Sequence, residues 1–288
     1  MSKYIVLYNP LSAKGHGLEN AKKLETLMEE GAEFSYEDMT KVTDTKSYMA
    51  SVPEDTTLIF TGGDGTLNRV VNQIYDLPLE RDVYYFPAGS GNDFINDLEL
   101  PHDCAPFPIN PYIKELPLLT ANGEEHRYIT SASLGLDGYC CDVVEVYRQN
   151  GKKIAYTMVA FEGLLWKYKP TGGTVTVDGV STHYDKIWLA AAMFGRFYGG
   201  GVKMAPRQSR FDEDGKLTLV VIHDIARIPT LFIFLNVIKG KGEKYPKHVQ
   251  YFTGHQLEVH FDKPTSLQFD GEPISDVTDI KVCSGRLA

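Results

Sequence analysis

The chain has 288 residues, of which 43% are hydrophobic and 23% are charged, and this composition excludes a disordered, collagen-like or disulfide-scaffold protein. Its formal net charge of −9 argues against general nucleic-acid binding, because contacts to phosphates need a basic footprint. The four cysteines, Cys104, Cys140, Cys141 and Cys283, form no C-x-x-C pair and indicate reduced thiols in a cytoplasmic protein. The most apolar later run, residues 231–238, is too short to cross a bilayer, so no transmembrane segment is expected.

Strands and helices alternate in the first part of the chain. Residues 4–8, 57–60 and 83–86 have the apolar pattern of buried strands, and each is followed by a loop rich in glycine or asparagine. Apolar residues at helical spacing follow the first two loops, at 18–28 and 67–74. This repetition predicts an α/β fold with a parallel sheet, in which ligands bind at the carboxyl ends of the strands.

The chain changes character near residue 125 and becomes mainly β. Helical segments near 138–168 and 228–238 interrupt this part, and Asp178-Gly179 is a hairpin-turn signal. The pattern predicts a separate, mainly β, sandwich-like domain. Its candidate strands lie at residues 128–133, 174–177, 187–192, 217–222, 257–261 and 267–269.

Three loops at the predicted strand ends are candidate phosphate sites: residues 9–17, 62–66 and 87–93. Glycine lets backbone N–H groups approach an anion closely, and the helix that follows points its positive N-terminal end at the same place. In the second loop Asp64 suits a bound Mg²⁺, although a tight turn with Asp64 or Thr66 as helix N-cap explains that loop equally well. Three such loops on successive strands favour phosphate binding over turns alone.

The sequence Asp270-Gly271-Glu272 is a candidate proton acceptor for a reaction at a hydroxyl group. In an extended segment its two carboxylates face the same side, and paired carboxylates raise each other's proton affinity. From the residues alone, an ordinary Asp-Gly hairpin turn is the simpler explanation. A solvated turn before a strand likewise explains the acidic stretch at residues 211–216.

Three motifs stand in order along the chain: Asn9-Pro10-Leu11-Ser12-Ala13, GGDGTLN at 62–68 and GSGNDF at 89–94. They resemble the catalytic domain of the diacylglycerol kinase and lipid kinase family, which also contains the sphingosine kinases. That family shows Asn-Pro-x-Ser-Gly, Gly-Gly-Asp-Gly-Thr and Gly-Thr/Ser-x-Asn-Asp-Phe. The resemblance covers nearly the whole chain, in a size similar to the soluble bacterial branch. It continues through residues 199–201, 204–206, 214–217 and 269–272.

Two positions depart from the family pattern: Ala13 stands where a glycine is usual, and Glu115 lies near a usual aspartate. The resemblance implies a nucleotide-binding α/β domain at residues 1–125. It also implies a β-rich domain at residues 126–288 that contributes lipid-binding and catalytic residues, with the nucleotide in the cleft between the two. The last strand is left free to return to the first domain.

ATP and Mg²⁺ are the cofactors that the resemblance implies. It makes Glu272 the proton acceptor with Asp270 assisting, and it places Asp64 as the third catalytic residue beside the magnesium of the nucleotide. The residues assigned to ATP and its metal are Asn9, Pro10, Leu11, Ser12, Ala13, Thr40, Gly62, Gly63, Asp64, Gly65, Thr66, Leu67, Asn68, Ser90 and Asp93. A separate magnesium site is assigned to the Asp214 carboxylate and the carbonyls of Phe211 and Lys216.

These implications favour an ATP-dependent lipid kinase that transfers the γ-phosphate to the hydroxyl of diacylglycerol or a related lipid alcohol. The alternatives are a soluble-metabolite kinase of the NAD kinase type, which shares Gly-Gly-Asp-Gly loops, and a non-catalytic nucleotide or lipid sensor. Lysines at 152–169 and 239–247 suit either docking on the inner membrane face or a solvated surface, and most apolar residues at 161–166 and 231–235 are expected in the core. Pairing of sheet edges into a homodimer is left open.

Overall fold

The chain divides into two units in the computed structural model, Met1–Glu115 and Leu116–Ala288. A hairpin at residues 118–127 belongs to the second unit. The boundary predicted between residues 125 and 126 lies within this hairpin, and the domain assignment stays a prediction. The structure describes residues 2–77, 81–89 and 91–287.

A five-stranded sheet forms the centre of the first unit. Its strands are β1 (Lys3–Tyr8), β2 (Glu33–Asp38), β3 (Thr56–Gly62), β4 (Tyr84–Pro87) and β5 (Phe107–Pro108). Their spatial order is β2-β1-β3-β4-β5, and the first four are parallel, whereas β5 is antiparallel to β4. The predicted parallel sheet is confirmed, and the apolar strand residues Val6, Ile59 and Phe86 share one core cluster.

Four α-helices accompany this sheet: α1 (Gly17–Lys22), α2 (Thr45–Ser51), α3 (Asp64–Ile74) and α4 (Asp93–Asp97). The helical spacing predicted for 67–74 is confirmed, because Leu67, Val70, Val71 and Ile74 are all buried on one face of α3. The pattern at 18–28 is less regular than predicted. It gives α1 followed by a 3₁₀ turn at Lys23–Leu27, and Leu24 is buried from that turn.

The second unit is mainly β, as predicted. Its strands are β6 (Leu118–Ala121), β7 (Glu124–Arg127), β8 (Ser131–Gly135), β9 (Thr171–Val177), β10 (Val180–Met193), β11 (Leu217–His223), β12 (Val249–Gly254), β13 (Gln256–Phe269) and β14 (Glu272–Cys283). They form one nine-stranded sheet in the order β12-β11-β10-β8-β13-β14-β6-β7, and β9 pairs with β10 and β13. The segments predicted at 257–261 and 267–269 are one strand, β13, with irregular register between His260 and Thr265.

Three α-helices, α5 (Leu136–Gln149), α6 (Tyr156–Glu162) and α7 (Arg227–Val237), and a π-helical turn at Gly163–Lys167 belong to the second unit. The single helical segment predicted at 138–168 is therefore wrong. Gly151 has a φ of 68°, a left-handed conformation that ends α5 before α6 begins. None of the helices in the described part of the chain is both long and apolar enough to span a membrane.

The Arg227 side chain joins the start of α7 to the π-helical turn. Its guanidinium donates to the carbonyl oxygens of Leu164 at 3.2 Å and Tyr168 at 2.7 Å. The same group lies 5.4 Å from the ring centre of Trp188, which is buried in the core of the unit. The helices α6 and α7 are therefore held on one side of the same core.

Candidate active site

Four connecting segments of the first unit begin at one edge of the sheet. The strands β1, β2, β3 and β4 are parallel, and their last residues are register partners: Tyr8 with Asp38 and Thr61, and Gly62 with Pro87. The loops that carry the predicted nucleotide residues follow directly after these strand ends. The structure thus brings residues 9–13, Thr40, 63–66, 88–89 and 91–93 to the carboxyl edge, where parallel sheets bind ligands.

The first of these loops turns sharply around Asn9. The side-chain Oδ1 of Asn9 accepts the N–H of Leu11 at 2.9 Å, and its carbonyl accepts both the N–H and the hydroxyl of Ser12, at 3.0 and 2.7 Å. Ala13 has a φ of 48°, so it adopts the left-handed conformation that the glycine usual in the family takes without strain. The departure at Ala13 therefore adds local strain to this turn.

Thr40 lies in a 3₁₀ turn directly after β2. Its N–H and its hydroxyl both donate to Oδ1 of Asp38, at 2.9 and 2.7 Å. The hydroxyl bond is the main reason that the pKa of Asp38 is lowered. Thr40 is thus placed at the predicted edge with its hydroxyl directed at a carboxylate.

The second and third loops pack backbone against backbone. A Cβ atom on Gly89 would lie 2.4 Å from the Cα of Gly63, and one on Gly62 would lie 2.5 Å from the side chain of Thr66. The carbonyl of Gly62 also accepts the N–H of Ala88 at 2.8 Å. These glycines are therefore required for the fold itself, in addition to any contact with phosphate.

The Asp64 carboxylate caps the N-terminus of α4, although Asp64 itself is the first residue of α3. Its Oδ2 accepts the N–H of Asp93 at 3.0 Å and its Oδ1 accepts that of Phe94 at 3.1 Å, so the carboxylate covers the N-terminus of α4. The alternative reading of Asp64 as N-cap of α3 is wrong, because Gly63 holds that position. The Asp64 side chain is thus held in one orientation, and a carboxylate is the type of ligand that a hard cation such as Mg²⁺ prefers.

The other predicted residues of the second loop serve mainly as helix. Leu67 is a core residue, and its N–H donates to the carbonyl of Gly63 at 3.0 Å. The side chains of Thr66 and Asn68 are also buried in α3. The assignment of Thr66, Leu67 and Asn68 to ATP stays a prediction. Ser90, assigned to ATP by the resemblance, lies outside the described residues.

Asn92 is a site residue that sequence reasoning did not single out as a ligand. It is buried in the left-handed conformation with a φ of 50°, and its side chain makes no capping bond to α4. Its Oδ1 has no hydrogen-bond partner among the described residues. Asn92 lines a cavity of about 590 Å³ together with Asn20, Lys23, Gly89 and His102. A buried amide oxygen without a donor suits a ligand that brings one.

In the second unit, Asp270 and Gly271 form a two-residue turn between β13 and β14. Their φ values are 46° and 90°, and Phe269 pairs directly with Glu272. The expectation of an extended Asp-Gly-Glu segment is therefore wrong, because both turn residues adopt left-handed conformations. Glu272 is half-buried at the first position of β14.

The Asp270 carboxylate is held by the start of β8. Its Oδ2 accepts the N–H of Ile129 at 2.5 Å, and its Oδ1 accepts the N–H groups of Thr130 and Ser131 at 2.8 and 3.1 Å. The Thr130 hydroxyl donates to the same Oδ1. Four donors to one carboxylate fix the turn in place. The Asp270 carboxylate is thus engaged in holding the turn. This arrangement does not support the idea that Asp270 and Glu272 are two equivalent carboxylates facing one cleft.

The side-chain ammonium group of Lys216 lies beside Asp214 in the predicted separate metal site. Asp214 Oδ2 lies 2.8 Å from Lys216 Nζ, and the hydrogen bond and charge of Lys216 lower the pKa of Asp214. The Lys216 carbonyl accepts the side-chain N–H of Gln208 at 3.0 Å. The assignment of Phe211, Asp214 and Lys216 to a metal stays a prediction. Within the described ranges, no group of three or more His, Cys, Asp and Glu residues is arranged to hold a metal ion.

Comparisons with known proteins place both units. A family model described as the diacylglycerol kinase catalytic domain matches residues 3–114, and one described as the YegS C-terminal NAD kinase beta sandwich-like domain matches residues 130–286. A protein of Bacillus subtilis (strain 168) named diacylglycerol kinase is 25% identical over 284 residues, which is 94% of this chain and 90% of the relative. A protein of Shewanella frigidimarina named probable lipid kinase YegS-like is 26% identical over 233 residues, or 75% and 70% of the two chains.

A solved structure has the same fold. It is described as a diacylglycerol kinase from Bacillus anthracis and superposes with a TM-score of 0.59, covering 99% of this chain and 94% of its own. The sequence identity of 16% means that this likeness supports the fold alone. The predicted fold class is confirmed in both units: a parallel α/β sheet followed by a sandwich-like, mainly β domain.

Proposed function

The chain belongs to the family that carries the diacylglycerol kinase catalytic domain, and on that premise we propose that it is an ATP-dependent lipid kinase. It transfers the γ-phosphate to the hydroxyl of diacylglycerol or a related lipid alcohol. The observation that carries the proposal is the arrangement of the glycine-rich loops of the first unit on neighbouring strands at one sheet edge. That edge offers backbone N–H groups and a helix start to a polyphosphate.

On the nucleotide side, this chain supplies backbone groups and one fixed carboxylate. The turns at residues 9–13 and 63–66 would hold the phosphates, and Asn92 would accept a hydrogen bond from the nucleotide in its cavity. Asp64 would hold Mg²⁺, which, when bound, neutralises charge on the phosphates. The Asp64 carboxylate is kept in one orientation by the two N–H groups at the start of α4.

On the acceptor side, the reaction needs a place for the hydroxyl proton. The lipid oxygen forms a bond to the γ-phosphorus, the bond from that phosphorus to the bridging oxygen breaks, and ADP leaves. We assign the hydroxyl proton to the Glu272 carboxylate, as the resemblance implies. Asp270 supports Glu272 by fixing the turn that precedes it.

An exposed apolar surface on α6, the π-helical turn and α7 supports a lipid acceptor. Phe161, Trp166, Phe232 and Leu235 have exposed fractions of 49%, 56%, 61% and 50%, so the expectation that most apolar residues here are core is wrong for these four. Leu164 and Phe234, in contrast, are buried. Exposed apolar residues of this size on neighbouring helices are typical of contacts with membranes or partners.

A small cavity reaches inward from this surface. It has a volume of about 220 Å³ and is lined mainly by apolar residues of α5, α6 and α7, including Leu136, Ala160 and Phe234. Ligand pockets for whole drug-sized molecules are typically about 300 to 1,000 Å³. The cavity therefore suits part of one hydrocarbon chain, while the remainder of a lipid stays in the bilayer.

The segments that carry the apolar surface have a net positive charge, whereas the net charge of the whole chain is negative. Residues 152–169 and 227–247 together contain nine lysines and arginines and two glutamates, a surplus of seven in a chain of net charge −9. Each basic residue near an anionic membrane contributes about 1 kcal/mol of attraction. We therefore propose peripheral docking on the inner membrane face through this surface. Homodimer formation stays an open prediction.

The direct test uses γ-labelled ATP, Mg²⁺ and phosphatidylglycerol vesicles that contain dioleoylglycerol. We expect labelled phosphatidic acid, and none from vesicles without dioleoylglycerol or from the Asp64→Asn variant. Transfer of label to NAD without lipid would support the soluble-metabolite kinase instead. Binding of ATP without turnover on any fraction of a total lipid extract would support the sensor and contradict the kinase.

A further inference from the structure

A buried chain of polar side chains runs from the Asp270-Gly271 turn to the wall of the apolar cavity. The N–H of Gly271 donates to Gln268 Oε1 at 2.8 Å, and Gln268 Nε2 donates to the Ser133 hydroxyl at 3.0 Å. The hydroxyls of Ser133 and Tyr156 both donate to the Asp137 carboxylate. Gln268, Ser133 and Asp137 are 2%, 0% and 4% exposed, so the hydrogen bonds among them are shielded from water.

This series of hydrogen bonds fixes the backbone immediately before Glu272. Residues 268 and 269 pair with 273 and 272 at the base of the hairpin, and the turn residues between the strands have left-handed φ values. The N–H of Gly271 is held by the side chain of Gln268, and the Asp270 carboxylate is held by β8. The peptide that leads into Glu272 therefore depends for its orientation on the buried side chain of Gln268 and the half-buried side chain of Asp270.

We propose that Gln268, Ser133 and Asp137 are positioning residues that set the orientation of Glu272. The proposal rests on the proposed function, in which Glu272 accepts the proton of the lipid hydroxyl. At its other end, this series of hydrogen bonds reaches the apolar cavity proposed for the lipid acceptor, because Asp137 and Tyr156 line that cavity. The same hydrogen bonds thus connect the cavity wall to the turn that carries the proton acceptor.

A purely structural role would predict a different set of measurements. If these hydrogen bonds served only to satisfy buried polar atoms, removing them would lower the free energy of unfolding and leave the catalytic constants of the folded protein unchanged. A positioning role predicts a loss in kcat with ATP affinity retained, because a displacement of about 1 Å at a reacting group costs about 10²-fold in rate. The two roles therefore separate in the kinetics of folded variants.

The first experiment compares the Gln268→Met variant with the wild type on dioleoylglycerol vesicles. Methionine has a similar length and removes the hydrogen bonds of Gln268 to Gly271, Ser131 and Ser133. We expect kcat to fall about 10- to 100-fold, which is the usual effect of removing a supporting partner behind a functional group. The KM for ATP should change by less than about 2-fold, and the acidic limb of the kcat pH profile should shift because Glu272 has a new environment.

The second experiment compares Ser133→Ala with Ser131→Ala. Both hydroxyls accept from Gln268 Nε2, at 3.0 and 3.3 Å, and both side chains are buried, but only Ser133 passes a hydrogen bond on to Asp137. We expect the loss in kcat to be at least about 5-fold larger for Ser133→Ala. If Gln268→Met does not fold, the comparison of Ser133→Ala with Ser131→Ala still tests the positioning role.

Folded variants with wild-type kcat and an unmoved pH profile would overturn the positioning role while leaving the kinase intact. Equal losses in Ser133→Ala and Ser131→Ala would also overturn it, because the chain beyond Gln268 would then have no part in the effect. Absence of lipid phosphorylation by the wild type is a separate outcome. It contradicts the proposed function itself.

Discussion

The two units arrange their candidate site residues in opposite ways. In the first unit, glycine backbones touch at Gly63 and Gly89, and the groups proposed to hold the phosphates are main-chain N–H groups. In the second unit, the turn before Glu272 is held by the side chains of Asp270 and Gln268. The difference follows from the ligand: a polyphosphate is held by many donors that must come close, whereas a proton needs one acceptor with a defined orientation.

The comparison also separates two kinds of sensitivity to mutation. A loop built on close backbone contact is disturbed by any added Cβ atom, regardless of its chemistry. A turn held by buried side chains is disturbed by the loss of a donor or an acceptor, even when the volume is unchanged. The following variants test this contrast, beginning with the largest expected effect.

The Glu272→Gln variant should lower kcat by about 10² to 10⁴-fold, because a positioned general base contributes about that much. ATP binding, measured by calorimetry, should remain at the wild-type level. Glu258→Gln in the same hairpin is the matched control, since Glu258 is exposed and pairs only at the surface with Lys281 at 3.3 Å. Comparable activity of Glu272→Gln and Glu258→Gln would remove Glu272 from the mechanism.

The Gly89→Ala variant should weaken both the fold and nucleotide binding. Its Cβ would lie 2.4 Å from the Cα of Gly63, so the two loops must separate. Overpacking of this kind costs about 1 to 3 kcal/mol of unfolding free energy, which urea denaturation would detect. A variant with wild-type stability would show that the loops do not depend on this backbone contact.

The Gly65→Ala variant sharpens the distinction between fold and ligand. A Cβ at Gly65 has nothing within 4 Å, and alanine is favoured in a helix by about 1 kcal/mol over glycine, so stability should be kept or rise. ATP affinity should nevertheless fall about 10-fold if phosphate approaches this position, because 1.4 kcal/mol of lost contact has that effect. Unchanged ATP affinity would exclude Gly65 from the phosphate site.

The Asp137→Asn variant tests a buried carboxylate through pH. Burial raises the pKa of Asp137 above its ordinary value of 3.8, and the bonds from Ser133, Tyr156 and Gln268 only partly oppose this. The folded state therefore binds the proton more tightly than the unfolded state, so the contribution of Asp137 to stability decreases as pH rises from about 4 through the folded pKa. The stability of Asp137→Asn relative to wild type should increase over that range. A difference independent of pH would contradict the raised pKa.

The Ala13→Gly variant should give the smallest effect. Ala13 has a φ of 48°, and glycine removes the strain of that conformation but also makes the unfolded chain more flexible. We expect a net gain of about 0.5 kcal/mol in the free energy of unfolding, with ATP affinity unchanged. A loss of stability would mean that the first loop adopts another conformation in solution.

Much of the first unit could be predicted because its signals are local. Apolar strand residues, a glycine-rich loop and a helix face with Leu67, Val70 and Ile74 stand next to one another in the sequence. The parallel sheet and the placement of its loops at one edge follow from that repetition. Asn92 was missed as a ligand, because its unsatisfied amide oxygen results from Asp64, 28 positions earlier, taking over the capping of α4.

The second unit was less accessible to sequence reasoning because its determining contacts are distant in the chain. Asp270 and Thr130 meet across 140 positions, and Gln268 and Ser133 meet across 135. A glutamine and a serine that far apart carry no pattern that connects them. The exposed faces of α6 and α7 were also hidden, since an apolar residue in a helix is usually part of a core.

By itself, the amino-acid sequence determined the parallel α/β organisation of the first unit, the mainly β character of the second, the position of the glycine loops and the family to which they belong, because these depend on neighbours along the chain. Tertiary structure alone decided that Asp64 caps α4, that Asp270 turns toward β8, and that a hydrogen-bond chain from Gln268 reaches the cavity wall. A carboxylate or an amide can bond to any donor within about 3 Å, and only the folded backbone determines which donor arrives there.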